Sequence, residues 1–387
     1  MRVPISSPLS LAGPALALGL LLGGCNSNPT ATEADQTATV VSSETNAASD
    51  SAAVTPANNG TAVTPTGPAP AWGPDIKPAM LAVIEAFQSF GNKPLPELTA
   101  PQARQQPSAA DAAMKVMQAN NIPAPPMNCD TMSQTVAPGV RARIYTPKGG
   151  TAPYPVIVYY HGGGWVIANL DTYGASTQAL CEKTGAVVVS VAYRQGPEHK
   201  FPTAHDDSFA AYQWVLKNAA SIKGDPNNVA VVGESAGGGL ACAVSMMARD
   251  KKVAMPKYQV LVYPIAGYDM NTPSYQANTE TAPLNKAGMA WFFKNYLRSA
   301  ADGKNPLIDL VNANLKGLPP TTVIAADYDP LKSEGKTLAD KLSAAGVKTN
   351  YQLYPGTTHE FFGMAAVVPA AEEAQSVAVS DLKSAMK

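Results

Sequence analysis

From Pro155 onward, short runs of β-branched and aromatic residues alternate with longer stretches in which apolar residues recur at helical spacing. Segments 156–160, 186–193, 229–233, 258–263, 321–326 and 350–354, flanked by Gly, Pro and Asn, each read as buried strands. Residues 141–145 predict an antiparallel strand ahead of them. Helical spacing falls at 171–184, 203–219, 236–249, 333–345 and 370–386. The alternation predicts an α/β fold with a mostly parallel central sheet and helices on both faces.

Two segments break this rhythm, and both are candidates for a helical cap. Residues 72–127 contain two helical patterns, at 80–87 and 110–119, and residues 267–305 form the second segment. Periodicity alone fits ordinary helices packed on the sheet as well as a cover over a substrate.

The N-terminus has a different character. Arg2 precedes an apolar stretch, 9–22, that Pro14 interrupts and that ends in Gly23, Gly24 and Cys25. As a helix this stretch would be roughly 21 Å long against a hydrocarbon core of about 30 Å, so it predicts an export signal over 1–24 rather than a membrane span. Leu22-Gly-Gly-Cys25 resembles the lipobox of bacterial lipoproteins, in which the cysteine is acylated and becomes the mature N-terminus. With Asn26 next, the resemblance implies an outer-membrane anchor through Cys25. Residues 26–71 lack Lys, Arg, Leu, Ile, Met and aromatic side chains. Such a segment, 25–71 with its cysteine, reads as a disordered tether ahead of a folded body at 72–387.

Setting aside Arg2 and the four tether acids leaves 27 basic against 25 acidic residues in the body, with no basic stripe. Nucleic acid is therefore not an expected partner. Cys129, Cys181 and Cys242 have no metal-ligand spacing, so no metal site is expected; an exported location would permit one bridge, whose pair the sequence does not choose, and buried free thiols are the favoured reading for Cys181 and Cys242.

The chemistry sits at two glycine-rich motifs. Gly233-Glu-Ser235-Ala-Gly237 lies between an apolar strand and a helical stretch. The bare five-residue pattern should arise by chance in roughly one chain in ten of this length. Its strand-to-helix context is what identifies a nucleophile elbow, in which small flanking residues allow a strained serine. His161-Gly-Gly-Gly-Trp165 directly follows another strand, and its side-chain-free backbone could aim N–H groups at a developing oxyanion. Gly163, Gly164 and Ala236 are the expected donors.

The base follows by elimination. Of four histidines, His161, His199, His205 and His359, only His359 comes after Ser235, as the order nucleophile, acid, histidine requires. His161 reads as a turn-stabilising residue, and His199 and His205 as surface or packing residues. The acid should follow the strand 321–326, where Asp327 and Asp329 compete. Spacing does not choose between them. Asp329 is favoured because Pro330 ends the strand direction and fixes the loop.

Over roughly residues 75–387 the chain resembles the bacterial hormone-sensitive-lipase family (family IV) of α/β-hydrolase esterases. Besides the two glycine motifs, the resemblance rests on Tyr193-Arg194, Pro197-Glu-His199, Phe201-Pro202, Gly317-Leu-Pro-Pro320 and Asp329-Pro-Leu331. It implies Asp329 as the third member of a Ser235, His359, Asp329 triad. It also implies a cap over the acyl pocket from 72–127 and 267–305, and cofactor-free hydrolysis of short- to medium-chain acyl esters. Glu234 stands where Asp is commoner, and Glu360 where glycine often follows the base. Neither removes a catalytic group, and Glu360 is expected to narrow or charge the rim of the site.

A serine peptidase of oligopeptidase type would share the elbow, but no repeat-bearing propeller region accompanies it here. A non-catalytic surface lipoprotein that retains the fold would have no need of an intact Ser, Asp, His and glycine loop.

Overall fold

Residues 63–387 are described by a computed structural model of the chain. The expected signal segment, Cys25 and most of the expected tether lie outside the described residues.

An eight-stranded sheet organises the fold, with strands in the order β1-β2-β4-β3-β5-β6-β7-β8. They span Cys129–Ala137 (β1), Val140–Pro147 (β2), Tyr154–Tyr160 (β3), Val187–Ala192 (β4), Gly224–Glu234 (β5), Gln259–Val262 (β6), Thr321–Tyr328 (β7) and Thr349–Thr358 (β8). Neighbours from β4 to β8 pair in parallel, whereas β2 runs antiparallel to β1 and to β4. The helices are Pro78–Gln88 (α1), Ala100–Ala103 (α2), Ala109–Ala119 (α3), Gly174–Thr184 (α4), Thr203–Asn218 (α5), Ala236–Asp250 (α6), Pro273–Ala277 (α7), Lys286–Tyr296 (α8), Lys332–Ala344 (α9) and Pro369–Ala385 (α10).

Alternation along the central strands builds two cores. On β3, Val156, Val158 and Tyr160 face one side with the apolar faces of α5, α6 and α9, and Ile157 and Tyr159 face the other with α4 and α10. The apolar runs are therefore continuous because the sheet is covered twice. Each fully buried Val or Leu in these layers contributes about 1.5–3 kcal/mol relative to exposure.

The two segments outside the strand-helix rhythm divide their contacts. Met80 to Ile84 of α1 and Ala112, Ala113 and Val116 of α3 belong to the α4/α10 side of the core. The chain just before α1 also reaches the carboxyl-terminal parts of β7 and β8: Asp75 N–H donates to Tyr328 Oη (3.0 Å) and Lys77 N–H to Gly356 O (2.9 Å). Between α1 and α3, Leu98 O accepts from Trp291 Nε1 of α8 at 2.9 Å. Segments 72–127 and 267–305 thus touch each other and the carboxyl-terminal edge of the sheet.

Three expectations need correction. Cys181 is not a free thiol: it is bonded to Cys129, joining α4 to the start of β1, while Cys242 is free and buried. The partners lie 52 residues apart and meet only because β1 pairs with β2 under α4. β1 itself was unexpected, since it is an edge strand with only Cys129 and Val136 buried and so lacks an apolar run. Order also begins before residue 72. Val63 is buried, and Glu85 accepts from Thr66 N–H (2.8 Å) and Gly67 N–H (2.6 Å), so an acid on α1 holds a segment whose own composition could not fold it.

Candidate active site

Strand β5 delivers Ser235 into a turn with φ 56° and ψ −119°, after which α6 begins at once. A non-glycine residue rarely adopts this conformation, which costs of order 1–3 kcal/mol and persists only where the surroundings enforce it. Here they do. Ser235 N–H donates to Val262 O (2.9 Å), and Ser235 O accepts from Gly239 N–H and Ile265 N–H, both at 3.1 Å. The flanking glycines are required by contact: a Cβ at Gly233 would lie 2.0 Å from Gly237 O, and one at Gly237 would lie 1.9 Å from Tyr160 O.

His359 follows β8 directly and brings its ring over this turn. Its Nε2 is 2.9 Å from Ser235 Oγ, and its Nδ1 is 2.7 Å from Asp329 Oδ2. All three residues are nearly inaccessible, at 4%, 3% and 0% exposure for Ser235, His359 and Asp329, so their mutual bonds replace those to water. Asp329 Oδ1 accepts from Leu331 N–H (2.8 Å), which fixes the carboxylate across the Pro330 turn. Asp327 points elsewhere, to Lys332 Nζ (3.0 Å) and Gly356 N–H (3.1 Å). The structure thus brings Ser235, His359 and Asp329 together and leaves Asp327 out.

Burial alone would depress the His359 imidazole. The charge and hydrogen bond of Asp329, with Glu360 and Glu234 behind them, outweigh it and raise its pKa above 6.5. An imidazole in this setting gains a proton readily, and its charged form lies against Asp329.

Strand β3 carries the glycine loop to the other side of Ser235. Gly163 and Gly164 have φ of 89° and 57°, and among the described residues the N–H groups of Gly163, Gly164 and Ala236 donate to no protein acceptor. The loop is held from outside. Val166 N–H and Ile167 N–H donate to Gly163 O (3.0 and 2.9 Å), Arg104 Nε to Val166 O (2.8 Å) and Gln195 Nε2 to Ile167 O (2.6 Å). A Cβ at Gly164 would come 2.1 Å from Phe292 Cδ1, so α8 lies directly on the loop. Neither Arg104 nor Phe292 belongs to a motif, and nothing short of the packed structure links them to the site.

The other histidines are not in this group. His161 stacks on Tyr193 with ring centres 4.3 Å apart and shares Nδ1 with Gly162 O (2.9 Å). His205 is buried against Tyr296 and Leu307 O. Burial lowers both to a pKa of about 4, which keeps them neutral. His199 is exposed.

Beneath the serine lies a buried polar layer that sequence reasoning missed. Glu234 accepts from Tyr159 Oη and Tyr263 Oη, both at 2.5 Å, and burial pushes its carboxyl up to about 7. The three residues come from β5, β3 and the end of β6, so only strand register brings them together. Among the described residues, no group of three or more His, Cys, Asp or Glu is placed to hold a metal ion, and no helix is long and apolar enough to cross a membrane.

Comparison with known proteins places this geometry. A family described as alpha/beta hydrolase fold matches residues 157–363. The chain is 38% identical over 251 residues to Carboxylesterase NlhH of Mycobacterium tuberculosis, covering 64% of this chain and 79% of that protein. It is 31% identical over 317 residues to Ethyl acetate hydrolase of Pseudomonas putida, covering 80% and 98%. Among solved structures, a thermostable esterase from Pseudomonas putida ECU1011 superposes with a TM-score of 0.74 at 30% identity, covering 82% of this chain and 99% of that one.

Proposed function

The chain belongs to the alpha/beta hydrolase fold family, and from that premise we propose that it cleaves short- to medium-chain carboxylic esters through an acyl-enzyme on Ser235. It is a serine ester hydrolase, as its carboxylesterase relatives are. The observation that carries the mechanism is the continuous line from Ser235 Oγ to His359 Nε2 (2.9 Å) and from His359 Nδ1 to Asp329 Oδ2 (2.7 Å).

In the acylation step Ser235 Oγ attacks the ester carbonyl as its proton passes to His359 Nε2. The carbonyl oxygen becomes negative beside the free N–H groups of Gly163, Gly164 and Ala236. Asp329 holds the imidazole by Nδ1 and stabilises its charged form. Collapse breaks the bond to the alcohol oxygen, which takes the proton from Nε2 and leaves. Water then gives a proton to Nε2, attacks the acyl carbon, and releases the acid as Ser235 regains its proton. No step uses a cofactor.

Replacing Ser235 by Ala should lower turnover of p-nitrophenyl butyrate by about 10⁴-fold or more. Unchanged turnover in purified protein would sink the mechanism. The acyl preference is supported by the similarity to an ethyl acetate hydrolase. It is tested by kcat/KM across a series of acyl lengths, with an optimum among the longest chains counting against it.

The site, on this reading, works outside the cytoplasm, in a protein held at the outer membrane through a lipid on Cys25. The lipobox-like 22–25 segment and the Cys129–Cys181 bond, which an oxidising compartment favours, support this placement. Palmitate incorporation should be lost in Cys25→Ser, and equal labelling of both forms would contradict it.

A further inference from the structure

Glu360 places a carboxylate at the reacting side of the imidazole, and the mechanism above does not use it. It follows His359 with φ 72°, a conformation that suits glycine and that a glutamate keeps at some cost in strain. Its Oε1 accepts from Tyr173 Oη (2.6 Å) and lies 3.9 Å from His359 Nε2, whereas Asp329 occupies the opposite nitrogen. Among the described residues, Oε2 takes no hydrogen bond. The side chain retains 23% exposure, against 3% for His359, so water reaches part of this carboxylate.

Tyr173 ties the pair to the glycine loop. A Cβ at Gly162 would lie 2.1 Å from Tyr173 Oη, so the tyrosine and the acid it holds flank the loop that faces the carbonyl. Burial, helped by the charge of Asp329, raises the Glu360 carboxyl above its ordinary range, and His359 and the Tyr173 bond offset this only in part.

The nitrogen nearest Glu360 is the one that must hand its proton to the departing alcohol. The alcohol oxygen therefore has to come within about 3 Å of Nε2. Substituents on the alcohol half, rather than the acyl half, are then the part of the substrate nearest Glu360.

We propose that Glu360 is a specificity-determining residue that selects esters whose alcohol half carries a cationic amine. The proposal rests on the ester-hydrolase reading above. Opposite charges about 6 Å apart attract appreciably in a partly desolvated site, and open water at one side screens the effect.

The test compares two butyrates of nearly equal shape near neutral pH: 2-(dimethylamino)ethyl butyrate, protonated on nitrogen, and 3-methylbutyl butyrate, with a neutral CH in its place. The ratio of their kcat/KM values cancels any general effect of a substitution on the base. That ratio should be about tenfold higher in the unaltered enzyme than in Glu360→Gln, which keeps an acceptor for Tyr173. Glu360→Gly, suited to the positive φ, should lose the preference equally and serves should the Gln variant fold poorly. An unchanged ratio in the folded variants would overturn the proposal. Failure of the unaltered enzyme to cleave either butyrate would instead overturn the ester-hydrolase reading, and this one with it.

Discussion

Asp329 Oδ2 lies 2.7 Å from His359 Nδ1, whereas Asp327, two residues earlier, is engaged by Lys332 and the Gly356 amide. The two carboxylates are chemically equal, so the difference lies in direction. Asp329→Asn should lower kcat by about 10³–10⁴-fold, because an amide no longer holds the imidazole in the needed tautomer. Asp327→Asn removes a half-exposed ion pair and should leave kcat within about threefold. Steady-state kinetics of the two variants decides the assignment, and a crippled Asp327→Asn beside an active Asp329→Asn would reverse it.

The pH dependence follows from the acids around His359. Asp329, Glu360 and Glu234 outweigh burial and raise its pKa above 6.5, and in the proposed mechanism the neutral imidazole is the active form. The acid limb of kcat/KM should therefore have its midpoint above 6.5, with activity lost as pH falls through it. Removing the charge in Glu360→Gln should move that limb downward. A pH–rate profile of both forms checks this, and an upward shift would contradict the charge assignment.

The glycine loop can be tested through its contact with α8. Gly164→Ala places a methyl where Phe292 Cδ1 would be 2.1 Å away and imposes φ 57° on an alanine. Displacement of the donor should cost about 10²-fold or more in kcat. Adding Phe292→Ala makes room and should restore part of the loss, because sites in contact are not additive. Full activity in Gly164→Ala alone would remove this amide from the oxyanion site.

Chemistry at this site was more legible in the sequence than its support. Ser235 stood out because the elbow's constraints are local: a strand, two glycines that a Cβ would force apart, and a helix. His359 stood out because no other histidine follows the serine. The choice of Asp329 rested on Pro330, and the bond from Leu331 N–H to Asp329 Oδ1 shows how that turn aims the carboxylate. Five of the six expected strands, 156–160 to 321–326, lie in the sheet interior, where double burial leaves an uninterrupted apolar record, whereas 350–354 is not the buried strand expected but part of the partly exposed edge strand β8. By contrast β1 is a mostly exposed edge strand, Glu234 meets its tyrosines across strands, and Arg104 reaches the glycine loop 62 residues away. Such partners are set by register and packing, which leave no periodic trace. The Cys129–Cys181 bond belongs with them.

That bond closes a loop of 52 residues, and the chain-entropy relation gives it about 4 kcal/mol of stabilisation. Cys129→Ser paired with Cys181→Ser should lower the urea midpoint accordingly. Turnover at 25 °C should change little, since neither sulfur touches the catalytic line. Equal midpoints with and without reductant in the unaltered protein would show that the bond is absent or inconsequential.

The most direct test of the central claim is intact-mass and peptide mapping after treatment with a fluorophosphonate, which reacts only with an activated serine. One adduct per chain, on the peptide carrying Ser235, should form in parallel with loss of esterase activity, and the reaction should slow greatly in His359→Ala. Complete inactivation with Ser235 unmodified, or an adduct on another residue that tracks the loss, would contradict the account.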